Sequence, residues 1–168
     1  MKIFGFLLLL FCLSGCGYHY PGKSGELPGG VENLYIPLFV NKTTEPRLET
    51  AMTSQVSEVF SRTKKIHQVE KLKSADGVLL GTIREYKSKA LSYDRRDDIG
   101  TYFSTMVIDA QLRQAETNQL LWEGSVEWKE VYRAASDKNL QEVSRKLALR
   151  QLILRLSEEL FYRVLDDF

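Results

Sequence analysis

Histidine and cysteine are scarce in this chain of 168 residues, two of each, at His19, His67, Cys12 and Cys16. They are too few and too scattered to build a zinc or catalytic Cys-His site with any ease. A one-sided charge is missing too: 23 Lys and Arg stand against 22 Asp and Glu. Nucleic-acid binding normally needs a large basic excess, so nucleic acid is not an expected partner. Also absent are a Gly-rich phosphate loop, a G-x-S-x-G elbow, an H-E-x-x-H helix, any internal repeat and any low-complexity tract. No cofactor is implied. An enzyme, including a lipid-anchored hydrolase, would need a nucleophile and base that the sequence does not display. Asp97-Asp98 beside Arg95-Arg96 reads as a solvated turn, and a lone His67 carries little chemistry.

Long apolar runs are missing except at the N-terminus. There Lys2 precedes Ile3 to Phe11, and Leu13-Ser14-Gly15 precedes Cys16. A positive start, an apolar stretch too short to span a bilayer and a small-residue exit are the layout of a secretory signal. Leu, Ser and Gly ahead of Cys resemble the bacterial lipobox, a resemblance that implies a lipoprotein signal peptide over residues 1–15 and acylation at Cys16; the plain alternative is an ordinary signal peptide with a chance cysteine. Several acyl chains at Cys16 give firm membrane attachment, since one chain alone is marginal. Gly17 stands where an Asp commonly signals inner-membrane retention, so the outer membrane is expected. Cleavage removes Cys12 and Lys2, leaving charges balanced, and acylation occupies Cys16, so the mature chain has no disulfide. Residues 16–30, rich in Gly, Pro and Tyr, read as a lipidated tether.

Residues 31–168 read as one domain. Val31 to Val40 is a strand with Pro37 marking an edge or an end. Leu48, Ala51, Met52, Val56, Val59 and Phe60 recur at helical spacing, which predicts an amphipathic helix over residues 46–62 opened by Pro46. Three strands follow, at residues 78–92, 102–114 and 120–132. In the second, Tyr102, Met106, Ile108, Ala110 and Leu112 alternate with polar residues; in the third, Leu120, Trp122, Val126, Trp128 and Tyr132 do so. That alternation predicts an antiparallel sheet with one apolar and one wet face, and places both tryptophans on the apolar one. A long helix runs from Asp137 or Lys138 to about Leu165. At about 100° per residue its apolar positions fall into two opposed sets. Leu140, Val143, Leu147, Leu154, Phe161 and Leu165 form one set, and Leu149, Leu152, Ile153, Leu156, Leu160 and Val164 the other. Either the helix is sandwiched within the domain or part of it meets a partner. The expected fold is α+β, a two-layer sandwich of a mostly antiparallel four-stranded sheet with two helices on one face, in the order β-α-β-β-β-α.

Charge is informative by segment. Arg84, Lys87, Lys89, Arg95 and Arg96 gather on one hairpin arm, and Lys129 and Arg133 lie on the last strand. If those strands approach, the two groups make a basic patch suited to phosphate. The plain alternative is a solubilising face balanced by Glu85, Asp94 and Glu127.

Cys16-Gly17-Tyr18-His19, followed by Ile36-Pro37-Leu38-Phe39-Val40-Asn41-Lys42-Thr43-Thr44-Glu45-Pro46-Arg47-Leu48-Glu49, resembles the LPS-assembly lipoprotein LptE family. The resemblance implies a non-enzymatic lipoprotein in the lumen of an LptD-type outer-membrane β-barrel, which helps lipopolysaccharide reach the outer leaflet and binds it reversibly. Arg84, Lys87, Lys89, Lys129 and Arg133 are the lipopolysaccharide-binding candidates by type and position. A lipid-anchored periplasmic subunit of another envelope export or assembly complex shares every feature except lipopolysaccharide binding.

Overall fold

A computed structural model describes residues 25–93 and 99–166. Cys16, the leader, most of the tether and the Asp97-Asp98 turn with Arg95 and Arg96 lie outside the described residues. The elements run β1 (Asn33–Tyr35), β2 (Val40–Asn41), α1 (Leu48–Ser61), β3 (His67–Gln68), β4 (Gly77–Tyr93), β5 (Ile99–Gln114), β6 (Leu120–Arg133) and α2 (Lys138–Asp166).

The α+β class is as expected, but the sheet has six strands, not four, and is mixed. Its order is β3-β1-β4-β5-β6, with β2 also paired to β4. β4, β5 and β6 form the expected antiparallel meander. β1 and β2 both run parallel to β4, and β1 runs parallel to β3. The segment read as one strand is split because Pro37 has no N–H to donate to a ladder. Leu34 and Tyr35 pair with Gly77 and Val78 before the break; Val40 and Asn41 pair with Thr82 and Ile83 after it.

Asn41 turns the chain from β2 into α1. Its Oδ1 accepts from the Thr43 N–H at 2.9 Å and hydroxyl at 2.8 Å, and its Nδ2 donates to the Glu45 carbonyl and Glu49 carboxylate, both at 2.9 Å. Such a side-chain turn is what Asn does best. Helix α1 then begins at Leu48, two residues later than expected, because Arg47 sits in the left-handed region at φ 66° and Pro46 falls outside the helix. The Thr53 hydroxyl accepts from the Phe39 N–H at 2.9 Å and ties α1 back to the strand segment.

One face of the sheet carries Leu79, Ile83, Met106, Ile108, Ala110, Leu112, Trp122 and Val126, which join the buried residues of both helices in a single core. Leu27 and Val31 are buried in the same core. Phe60 of α1 meets Phe161 of α2 edge to face, with centroids 5.1 Å apart. Of the two apolar sets on α2, the one containing Leu152, Ile153, Leu156, Leu160 and Val164 is buried. In the other, Phe161 and Leu165 pack against the core margin, while Leu140, Val143 and Leu147 are exposed. Two strand positions depart from the simple alternation. Leu121 is the extra residue where the β5-β6 register shifts, so Leu120 pairs with Arg113 on the open face. Trp128 keeps the core-side register opposite Met106 but is 37% exposed, against 7% for Trp122.

Candidate functional site

Among the described residues no helix covers the second face of β4, β5 and β6, and the register lays its residues out in rows. Lys87, Thr105 and Lys129 form one row, Glu85, Val107 and Glu127 the next, and Lys89, Phe103 and Val131 the row on the other side. Beyond these, Ser92 and Arg133 flank Thr101. The register sets Lys87 and Lys129 in one row: with strands about 4.8 Å apart, their backbones are roughly 10 Å apart across β5. All five candidate cations lie on these two outer strands, β4 and β6, of the meander.

They are not equivalent. Lys87 donates to Glu85 at 2.8 Å and Lys129 to Glu127 at 3.1 Å, each along its own strand. These mirror-related pairs flank a central strip where Thr105 and Val107 are buried despite facing outward. Lys87 and its neighbouring cations hold the Glu85 carboxyl below the usual carboxylate range, chiefly through that hydrogen bond. Arg84 is the extra residue of a β-bulge, since Ile83 pairs with Ile108 and Glu85 with Val107. It reaches Asp109 at 3.5 Å, one row toward the opposite end of the sheet. Among the described residues no carboxylate pairs with Lys89 or Arg133, and their rows contain Phe103, Val131 and Thr101 in place of acids. The face is therefore a balanced ion ladder at its middle and becomes cationic and partly apolar toward the β4-β5 hairpin.

Toward the other end the same face turns apolar. Tyr35, Pro37, Leu72, Val78 and Leu80 line a shallow cleft of about 400 Å³ with Arg113 on its wall. Arg113 is held by Gln111 at 3.1 Å and by the Asn118 carbonyl at 3.0 Å, so its charge is fixed to the β5-β6 turn. Periodicity pointed to a uniformly wet face, and it passed over Phe103, Val107, Val131 and Leu80. Apolar residues at wet positions were the available signal.

Other titratable groups serve the fold. Arg145 donates to both Glu142 oxygens, at 2.9 and 3.0 Å, and to Glu45 at 3.0 Å. Hydrogen bonds from Arg145, aided by Lys146, hold the Glu142 carboxyl down at about 2. The Asn33 backbone N–H at 2.8 Å keeps the Asp76 carboxyl low. His67 is exposed and lines a cleft with Glu26, Glu32 and Lys65, where Lys65 pairs with Glu26. Among the described residues no three His, Cys, Asp or Glu side chains converge on a metal position, and no helix is long and apolar enough to cross a membrane.

Residues 31–167 match the family model described as LptE, lipopolysaccharide-assembly. Among solved structures, the fold is similar to that of lipoprotein B from Nitrosomonas europaea, at 15% identity and a TM-score of 0.60, covering 89% of this chain and 91% of that one. It is also similar to rare lipoprotein B from Shewanella oneidensis, at 12% identity and a TM-score of 0.55, covering 81% and 92%. A minor lipoprotein from Acinetobacter baumannii gives 7% identity, a TM-score of 0.55 and the same coverage. At these identities the likeness concerns the fold alone. The search of curated proteins found no match.

Proposed function

The chain belongs to the LptE lipopolysaccharide-assembly family, and from that membership we propose that it is an outer-membrane lipoprotein, acylated at Cys16, that plugs an LptD-type β-barrel and hands lipopolysaccharide toward the outer leaflet. It works by contact and shape, without catalysis. The observation that carries the reading is the open face of β4 to β6, where Lys87, Lys89, Lys129 and Arg133 stand beside Phe103 and Val131.

A phosphorylated glycolipid is both anionic and apolar, and this end of the face offers both complements. Lysine and arginine make charge-assisted hydrogen bonds to phosphate, stronger than neutral ones. Phe103 and Val131 supply apolar surface in the same row as Lys89. Lys87 and Lys129 start from carboxylate partners, so their engagement exchanges one anion for another and remains reversible. The balanced ladder in the middle of the face suits a barrel lumen, whose wall is polar. Arg84, bulged out beyond the Glu85 row and directed to Asp109, stands apart from the cationic end of the face and contributes least of the five.

The test measures lipopolysaccharide binding together with barrel co-purification. Reversing charge at both Lys89 and Arg133 should weaken lipopolysaccharide binding by about tenfold or more, given the strength of charge-assisted bonds. Binding by the wild type should also fall as salt rises. The circular dichroism spectrum and recovery of a large β-barrel partner from detergent extracts should not change. Unchanged binding would assign these cations to solubility, and an extract without a barrel would remove the plug.

A further inference from the structure

β6 ends the sheet, and among the described residues no strand lies on its far side. Two hydrogen bonds show which backbone groups point outward there. The Ala134 N–H, just past the strand, donates to the Gly100 carbonyl at 3.1 Å, so even-numbered positions face β5. The Ser125 carbonyl instead accepts from Arg163 Nη1 at 3.4 Å on the outer side. Within an antiparallel ladder the N–H and C=O of one residue point the same way, and direction alternates along the strand. Glu123, Ser125, Glu127, Lys129, Val131 and Arg133 therefore present their backbone groups at an open edge, which is a template for another strand.

We propose that this edge pairs antiparallel with the β6 edge of a second copy of the chain, on a two-fold axis through Trp128. Charge fixes the register. With Trp128 opposite its own copy, Glu127 faces Lys129 and Glu123 faces Arg133 across the junction, and symmetry repeats both pairs. Ser125 faces Val131, and its carbonyl exchanges the Arg163 guanidinium for a backbone N–H. A slip of two residues in one direction sets Glu127 against Glu127, and in the other Lys129 against Lys129. Opposite charges across paired strands stabilise them and like charges oppose pairing, so the edge is complementary to itself in this register. A two-fold interface requires that kind of self-complementarity.

Trp128 supplies an independent observation. It is the large aromatic residue left 37% exposed on the core-side register of β6, while Trp122 is 7% exposed. At the proposed axis the two Trp128 residues occupy a non-hydrogen-bonded position, where opposing Cα atoms come within about 4.5 Å and side chains are in closest contact. Aromatic pairs are favoured there.

The experiment is sedimentation equilibrium of the full-length chain in detergent, with no lipopolysaccharide or barrel present, so its result is separate from the proposed transport function. The wild type should show a monomer-dimer equilibrium. Lys129→Glu alone and Glu127→Lys alone should each weaken dimerisation by about tenfold or more, since each turns symmetric attraction into repulsion. The double variant with the charges exchanged should restore it, with circular dichroism constant throughout. In a Trp122→Phe background, Trp128 emission should shift to the blue as protein concentration rises. A monomer at every concentration overturns the proposal, as does a dimer whose strength ignores all three charge variants.

Discussion

Arg145 reaches Glu45 at 3.0 Å across a hundred positions of sequence, joining α2 to the turn that leads into α1. The same guanidinium holds Glu142 on its own helix, so one side chain ties the two helices together at the end opposite the Phe60-Phe161 contact. Replacing it with Met should lower stability by roughly 1–2 kcal/mol, the range for a partly buried charge-assisted contact. Urea unfolding measures this directly.

The Arg145 ties carry a pH signature. The Glu142 carboxyl is held at about 2, well below the usual carboxylate range, chiefly by hydrogen bonds from Arg145. A lowered carboxyl pKa stabilises the fold above the unfolded value and ceases to do so as pH falls through the folded one. Wild-type stability should therefore approach that of Arg145→Met as pH drops from about 4.5 toward 2. A stability gap constant over that window would show that Glu142 takes no part.

Asn41→Ala should cost about 2 kcal/mol, since it removes a side chain with four hydrogen bonds at the β2-α1 turn. Thr43→Ala should cost less, because Asn41 still meets the backbone. Equal losses in the two variants would deny Asn41 its central place.

Gly81 lies under the Phe39 ring, and a side chain there would collide with it. Gly81→Ala should lose roughly 1–3 kcal/mol, as overpacked cores do. Phe39→Leu should recover part of that loss in the double variant. Additive losses would place the strain elsewhere.

The tryptophans should separate in quenching experiments on single-Trp variants. Trp128 should be readily quenched in the monomer and Trp122 protected, following their exposures of 37% and 7%. Two protected indoles in monomeric protein would contradict the open edge of β6.

Local chemistry is what a sequence carries most plainly, and here it was enough for the meander and the helices. The alternation of Tyr102, Met106, Ile108, Ala110 and Leu112 marks β5 because side chains on a strand change face at every residue. The 3.6-residue recurrence from Leu48 to Phe60 marks α1 for the corresponding reason. Most of the phrase from Ile36 to Glu49, which carries the family resemblance, proves to be a folding device: Pro37 breaks the strand, Phe39 covers Gly81 and Asn41 makes the turn. Its residues are close in sequence, so their pattern could be recognised before their contacts were known.

Relations between distant segments were decided only by the tertiary structure. Two-residue strands such as β2 and β3 are too short for any periodicity and exist because β4 and β1 supply their partners. Both apolar sets on α2 have helical spacing, and the position of α1 determines that Phe161 is covered while Leu140, Val143 and Leu147 are left open. Candidate cations could be named by type, but their partners depend on register. A single extra residue at Arg84 sends it to Asp109, while the pairing of both outer strands with β5 sets Lys87 across from Lys129. Register is a property of two strands together, and no single segment of sequence contains it.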